Sequence, residues 1–252
     1  MSSPSEAPPT SLGIDIGGTG MKAAIVDVSS GELLTDRFRI DTPQPATPLA
    51  MAAVVNDLVT HFSWTAQVGV GFPAVVRNGV VGSAANIDAS WIDVDADRLF
   101  TAAAGVRVHM INDADAAGLA EVRFGAGRGY HGVVMMLTFG TGIGSGLFID
   151  GVLVPNTELG HLELDGFDAE TRAAASARKR DDLTWSSWAK RVQAYLRHVE
   201  RLFSPDLFII GGGASKQAEQ WLPKVEVETK VVAAQMANNA GIVGAALVAP
   251  AA

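Results

Sequence analysis

The sequence predicts an α/β protein built as two lobes. At 12–28 an apolar strand runs into a glycine-rich turn and out into a second strand, and the same theme restarts at 133–154. Elsewhere, stretches with helical spacing of apolar residues alternate with short apolar runs. The chain has 252 residues, enough for one large domain or two small lobes with a working core.

Residues 1–11 are polar and Pro-rich, without the apolar core of a signal peptide, and read as a disordered tail. A strand at 12–16 enters Gly17-Gly18-Thr19-Gly20, and strands at 21–28 and 33–40 follow, split by a turn at 29–32. Strands joined this closely form a hairpin, not a βαβ unit. Pro43, Pro45 and Pro48 mark a loop. The segment 49–62 is helical, with Met51, Val54, Val55, Leu58 and Val59 on one face. Strands at 68–72 and 75–81, a helix at 94–104 and a strand at 106–111 lead to Asn112-Asp113 and an Ala-rich helix at 114–124. The second half reads as a strand at 133–139, a glycine run at 140–146 and a strand at 147–154 that turns at Asp150-Gly151. A long amphipathic helix at 183–203, a strand at 207–210 entering Gly211-Gly212-Gly213, a strand at 230–234 and a helix at 240–248 complete the chain. The first lobe is expected to span 12–111, joined by the helix at 240–252, and the second 112–239.

Composition narrows the function classes. Hydrophobic residues at 48% and charged residues at 18% indicate a folded chain. A net charge of -8 argues against a general nucleic-acid binder. With no Cys, disulfides and thiolate metal sites are impossible. The apolar stretches are broken well short of a membrane span, so a cytoplasmic protein is the simplest inference. Much of the glycine, 27 residues, clusters in three runs, as expected where backbone approaches a ligand.

The first run, Asp15-Ile16-Gly17-Gly18-Thr19-Gly20-Met21-Lys22, offers bare backbone N–H groups and a Thr hydroxyl to an anion. Asp15 is placed to hold a Mg²⁺-bound water, and Lys22 either adds positive charge or is solvated. The second run, 138–146, holds four Gly and three hydroxyl residues in nine positions, which reads as a second phosphate cradle. It lacks the Gly-Lys-Ser/Thr ending of a Walker loop and the spacing of a dinucleotide fingerprint. Gly212 and Gly213 end a strand ahead of an expected helix start, where a phosphate chain or nucleoside would lie. Asn112-Asp113 sits at a strand end. Helix capping is the ordinary use of such residues, and a general base for a sugar hydroxyl is the use that the phosphate loops make credible. Glu158-Leu159-Gly160-His161 brings a carboxylate and an imidazole together, which is either a lone surface Glu with a core His, the usual case, or a set of acceptors and a donor for adjacent hydroxyls of a pyranose. Asn86 is an isolated polar candidate.

In this order and over nearly the whole chain, these motifs resemble the ROK family of sugar kinases. The resemblance implies the two-lobed actin-like ATPase fold, related to ribonuclease H. It implies hexose contacts from Asn86, Asn112, Asp113, Glu158, His161 and Glu170, and donor contacts from Gly17, Gly18, Thr19, Thr141 and Gly142. Many family members carry a zinc site of three Cys and a His after the Glu-x-Gly-His motif. Without Cys, no zinc is expected here, and the segment 163–181 is similar to the polyphosphate-using glucokinases of the family. The implied chemistry is transfer from polyphosphate or ATP, with Mg²⁺, to the 6-hydroxyl of glucose and also mannose, Asp113 acting as base. A strictly ATP-dependent hexose or N-acylhexosamine kinase is the alternative. A homodimer is implied by the family. Arg178, Lys179, Arg180, Lys190, Arg191, Arg197 and Arg201 are either a solvated helix face or a groove for polyphosphate.

Overall fold

A computed structural model of the protein describes residues 9–85, 87–249 and 251. The described chain forms two compact units, one reaching to Asp113 and resuming at Gly241, the other Ala114–Ala240. The first contains β1 (Thr10–Ile16), β2 (Gly20–Asp27), β3 (Phe38–Asp41), α1 (Pro48–His61), β4 (Val68–Phe72), β5 (Val76–Arg77), β6 (Val80–Val81), α2 (Ala96–Ala104) and β7 (Val108–Asn112). Helix α3 (Asp113–Phe124) leads into β8 (Val133–Phe139), β9 (Ile143–Ile149), β10 (Val152–Val154), β11 (Glu163–Leu164), β12 (Phe167–Asp168), α4 (Glu170–Ala173), α5 (Ala175–Arg180), α6 (Trp185–Phe203), β13 (Leu207–Gly211), α7 (Ala218–Trp221) and β14 (Lys230–Ala233). Finally α8 (Ala240–Ala246) returns the chain to the first unit.

In the first unit the sheet order is β3-β2-β1-β4-β7, antiparallel across β3, β2 and β1 and parallel across β1, β4 and β7. Alternation along β1 and β4 decides the two faces. Leu12, Ile14, Ile16, Val68, Val70 and Phe72 point into a core shared with Met51, Val55 and Leu58 of α1 and Phe100 of α2. Each such fully buried side chain contributes about 1.5–3 kcal/mol. On the opposite face a Cβ at Gly13 or Gly69 would collide with the carbonyl oxygens of Ile242 and Ala245, so glycine lets α8 lie directly on the strands. Helix α2 is closed by the Asp95 cap, which accepts from the Arg98 N–H, and by Gly105 in the left-handed region.

The second unit repeats the order as β10-β9-β8-β13-β14, with the first three strands antiparallel and the last two parallel to β8. Helix α6 buries Trp188, Val192, Tyr195, Leu196 and Val199 against Phe139, Phe208, Ile210 and Trp221. Trp188 and Trp221 meet edge-on with centroids 4.6 Å apart. On the other face α3 approaches closely: a Cβ at Gly144 would meet Ala114 Cβ at 2.8 Å. The buried Glu121 carboxylate accepts the N–H groups of Ala126, Gln235 and Met236 and ties the end of α3 to the chain after β14.

Several expected elements change. Strand β1 begins at Thr10, so residues 10 and 11 leave the expected tail, Ser11 being buried and paired with Val26. Residues 1–8 lie outside the described residues. The strand expected at 33–40 pairs only at Leu33 and from Phe38 on, because Thr35 Oγ1 takes the Ile25 N–H in place of a ladder carbonyl. The strand at 75–81 splits into a hairpin around Asn78-Gly79, both at positive φ. Asn112 and Asp113, expected in the second lobe, belong to the first unit, since Asn112 ends β7 in register with Phe72. The helix expected directly after Gly213 is a 3₁₀ turn, Gly213–Gln217, followed by the four-residue α7. The segment 163–180, for which the pattern predicts no element, folds into the β11–β12 hairpin, α4 and α5.

Candidate active site

In the first unit the β1–β2 hairpin turns over Gly17–Thr19, closed by the Gly17 N–H to the Gly20 carbonyl at 3.1 Å. Gly18 and Thr19 are exposed. A Cβ at Gly18 would meet nothing within 4 Å, so neither packing nor a positive φ demands glycine there, and the missing side chain keeps the backbone open to an approaching group. Thr42 Oγ1 donates to the Gly17 carbonyl at 2.6 Å and braces the turn. Arg39 Nη2 donates to the Thr19 carbonyl at 2.7 Å, and its Nη1 pairs with Asp41 at 2.6 Å. Asp15 lies 3.6 Å from Lys22, so that lysine is engaged within the hairpin. Burial raises the Asp15 carboxyl above its ordinary 3.8, and the Lys22 ammonium opposes this. Beside the turn lies a cavity of about 360 Å³ lined by Gly17, Gly18, Thr42, Ala85, Ile87 and Asp88. Asn86, expected to bind hexose, lies outside the described residues.

Asp113 follows the C-terminal end of β7, half-buried, at the first position of α3. That is where active groups gather in parallel α/β sheets. Asn112 is buried, and its Nδ2 donates to the Ala74 carbonyl at 3.1 Å.

In the second unit the turn Gly140-Thr141-Gly142 joins β8 to β9, with the Gly140 N–H on the Gly142 carbonyl at 3.0 Å. Thr141 is exposed, and the space where a Cβ on Gly140 would sit is open. Ser176, at the start of α5, backs this turn through its N–H to Gly140 and its Oγ to the Thr141 carbonyl at 2.5 Å. Of the run read over 138–146 as a phosphate cradle, only this turn is open. Gly144 and Gly146 serve the close approach of α3, and Ser145 is buried with its Oγ on the Thr157 carbonyl at 2.6 Å. Gly211 pairs in register with Thr138, which sets Gly212 and Gly213 beside the turn at the same end of the sheet. Gly212 is required by its φ of 75° and by Phe139 N, 2.7 Å from the place of a Cβ, whereas Gly213 has open space. A four-residue α7 offers no helix dipole for a phosphate, so any anion there is held by loop N–H groups.

Of the acceptor candidates, Glu158, His161 and Glu170 lie in this unit, whereas Asn112 and Asp113 lie in the first. Asp115 Oδ2 takes the Asn156 N–H at 2.7 Å, and Ser145 Oγ takes the Leu159 N–H at 3.0 Å, so Glu158 is fixed from both sides. A Cβ at Gly160 would strike the Ile143 carbonyl. His161 Nε2 lies 4.0 Å from Glu158 Oε2, and its Nδ1 lies 2.7 Å from Asp168 Oδ2. Glu170 Oε2 accepts the Ile143 N–H at 3.0 Å, one residue past the Gly140–Gly142 turn. Burial raises the Glu158 carboxyl; His161 pulls it back and Glu170 pushes it further up. The Asp168 hydrogen bond raises the His161 imidazole above its ordinary 6.5 against the opposing effect of burial. Ligand atoms of His161, Asp168 and Glu170 fall within 4.8 Å of one another, and each of these residues already has a hydrogen-bond partner. The pattern did not flag Asp168, and it took Ser145 only as a hydroxyl of the glycine run. Both are single polar letters whose partners lie 7 and 12 positions away.

The expected cationic groove on α5 and α6 is largely committed elsewhere. Arg178 stacks on Trp185 at 3.8 Å, Arg180 and Arg191 pair with Asp181 at 2.9 and 2.6 Å, and Arg197 Nε donates to the Glu226 carbonyl at 3.0 Å. Lys179, Lys190 and Arg201 remain exposed.

Open glycine turns for anions and a carboxylate–imidazole pair for hydroxyls define the class: a phosphotransferase with an alcohol acceptor. The model of the ROK family matches residues 11–179. The polyphosphate glucokinase of Mycobacterium tuberculosis (strain CDC 1551 / Oshkosh) is 51% identical over 94% of this chain and 89% of its own, and that of Mycobacterium leprae is 51% identical over 94% and 73%. Among solved structures, the inorganic polyphosphate/ATP-glucomannokinase from Arthrobacter sp. strain KM superposes with a TM-score of 0.92 and 54% identity, covering 96% of this chain and 98% of that one. A ROK family glucokinase from Streptomyces griseus, in complex with glucose and AMPPNP, gives 0.83 and 27%, covering 95% and 99%. The chain belongs to the ROK family and has its actin-like ATPase fold. Among the described residues no helix is long and apolar enough to cross a membrane.

Proposed function

We propose that the protein transfers the terminal phosphoryl group of inorganic polyphosphate or ATP to the 6-hydroxyl of glucose, and of mannose as well. One observation carries the reading. The acceptor cluster is built onto a donor turn: Glu170, beside the Glu158–His161 pair, accepts the N–H of Ile143, the residue after Gly142. Similarity to the mycobacterial and Arthrobacter enzymes supports both donor and acceptor.

In this reading Gly17, Gly18, Thr19, Thr141, Gly142, Gly212 and Gly213 hold donor phosphates through backbone N–H and hydroxyl groups. Asn112, Asp113, Glu158, His161 and Glu170 hold the hexose, with Asn86. The hydroxyl oxygen forms a bond to the terminal phosphorus as the bridging P–O bond breaks, and Asp113 takes the hydroxyl proton. Such transition states are loose, so positioning and charge neutralisation supply most of the rate. Mg²⁺, when bound with the donor, supplies positive charge to the phosphate oxygens, and the Asp15 carboxylate suits it because burial and a single lysine leave that charge under-compensated. The protein is taken as a homodimer, as the family resemblance implies, and as cytoplasmic, as its composition suggests.

Purified protein given glucose and polyphosphate as sole donor is expected to form glucose 6-phosphate, and failure with polyphosphate but not ATP would leave a strictly ATP-dependent kinase. Asp113→Asn is expected to keep glucose binding, followed by tryptophan fluorescence, and to lower kcat by about 10²–10⁴-fold. Undiminished turnover would remove Asp113 from the mechanism.

A further inference from the structure

We propose that Asp168 is a positioning residue for the acceptor sugar: held by its own hairpin, it fixes the His161 ring so that Nε2 is presented, beside Glu158, to the hexose. This deepens the reading above and rests on it for the role of His161.

The geometry is specific. A carboxylate only accepts, so the 2.7 Å contact between Asp168 Oδ2 and His161 Nδ1 places a proton on Nδ1. That choice fixes the ring's orientation and leaves Nε2 facing Glu158 Oε2 at 4.0 Å, too far for a direct hydrogen bond. The gap between an imidazole nitrogen and a carboxylate oxygen suits hydroxyl groups that bond to both. Asp168 is itself held in place. Its Oδ1 accepts the Glu170 N–H at 3.2 Å, its carbonyl accepts Thr171 Oγ1 at 2.6 Å, and β12 pairs Asp168 with Glu163. The Ala169 N–H donates to the Leu162 carbonyl at 2.9 Å and closes the hairpin next to His161. Arg172 lies 3.4 Å over the Phe167 ring and covers the adjacent residue of the strand. A hairpin with two-residue strands and an exposed tip contributes little core. It carries one carboxylate to Nδ1 and delivers Glu170 to Ile143.

The test is a double-mutant cycle of Asp168→Ala and His161→Ala, with Asp168→Asn as the conservative variant, in the full chain. Hexose KM, donor KM, the thermal midpoint and the ¹⁵N signature of the His161 ring are read for each. Asp168→Ala is expected to raise hexose KM roughly tenfold, by analogy with the loss seen when the carboxylate partner of a metal-bound histidine is removed. Donor KM should hold, and the ring should no longer show a fixed Nδ1–H. Asp168→Asn, whose amide oxygen still accepts from Nδ1, should restore the ring signature and much of the KM. Once His161 is Ala, removing Asp168 should cost nothing further. Additive effects of the two substitutions, or an unchanged hexose KM in Asp168→Ala while His161→Ala raises it, would overturn the positioning role alone. An unchanged hexose KM in His161→Ala would instead overturn the reading of His161 as a hexose contact.

Discussion

The Asp115 carboxylate lies fully buried in α3, two residues after Asp113, and holds the Asn156 N–H at 2.7 Å. Burial, with a smaller push from Glu158, raises its pKa from 3.8 to about 7, against the lowering effect of the Asn156 hydrogen bond. The sign follows from linkage. Between these values the folded chain keeps a proton that the unfolded chain releases, so this residue's stabilisation is complete below about pH 4 and is lost as pH rises through about 7. Asp115→Asn keeps an acceptor for Asn156 and removes the ionisation. Compared with the wild type it should gain up to about 4 kcal/mol between pH 4 and 8. Denaturant midpoints at both pH values check this, and parallel pH profiles would refute it. Residues of this kind mark the limit of reading a sequence. Asp113, Glu158 and His161 stand in short motifs whose neighbours suggest their use. Asp115, Ser145 and Asp168 act through partners distant in sequence, and folding alone brings those partners together.

The glycines of the two sheets divide into those that packing requires and those it does not. At Gly69 a Cβ meets the backbone of α8, which cannot step aside, whereas at Gly18 it meets open space. Gly69→Ala should therefore cost more than about 2 kcal/mol of stability, as overpacked cores do. Gly18→Ala should leave the thermal midpoint nearly unchanged and raise donor KM several-fold. Calorimetry beside donor titration separates the two, and a large thermal loss in Gly18→Ala would contradict the assignment of that turn to the donor. The hairpins and α6 were legible from their alternation and helical spacing. The β11–β12 hairpin and helices α4 and α5 were not. Their strands span two residues and their helices four and six, too short for periodicity to register. The glycine run at 140–146 was legible as a run, but the packing of Gly144 and Gly146 depended on α3, which sequence pattern alone does not place.

Over the whole molecule, a net charge of -8 opposes a polyanionic donor at long range. Attraction must come from a few local cations: Lys179, Lys190 and Arg201 are exposed on α5 and α6, as are Arg180 and Arg197, which are engaged with Asp181 and the Glu226 carbonyl. If about three such charges meet polyphosphate, its KM should rise roughly tenfold between 50 and 200 mM salt, by the counter-ion release that governs single-stranded polyanions. ATP, with its short chain, should respond less, and equal slopes for the two donors would argue against a cationic path. The two-unit plan was legible at this scale because strand–glycine–strand hairpins open both halves of the sequence. The return of α8 to the first unit has a consequence for biosynthesis. Its carbonyls rest on Gly13 and Gly69, so that face of the first unit's sheet stays uncovered until all of 114–240 has been translated. The unit at 114–240, translated later, has all of its own elements sooner and can close first.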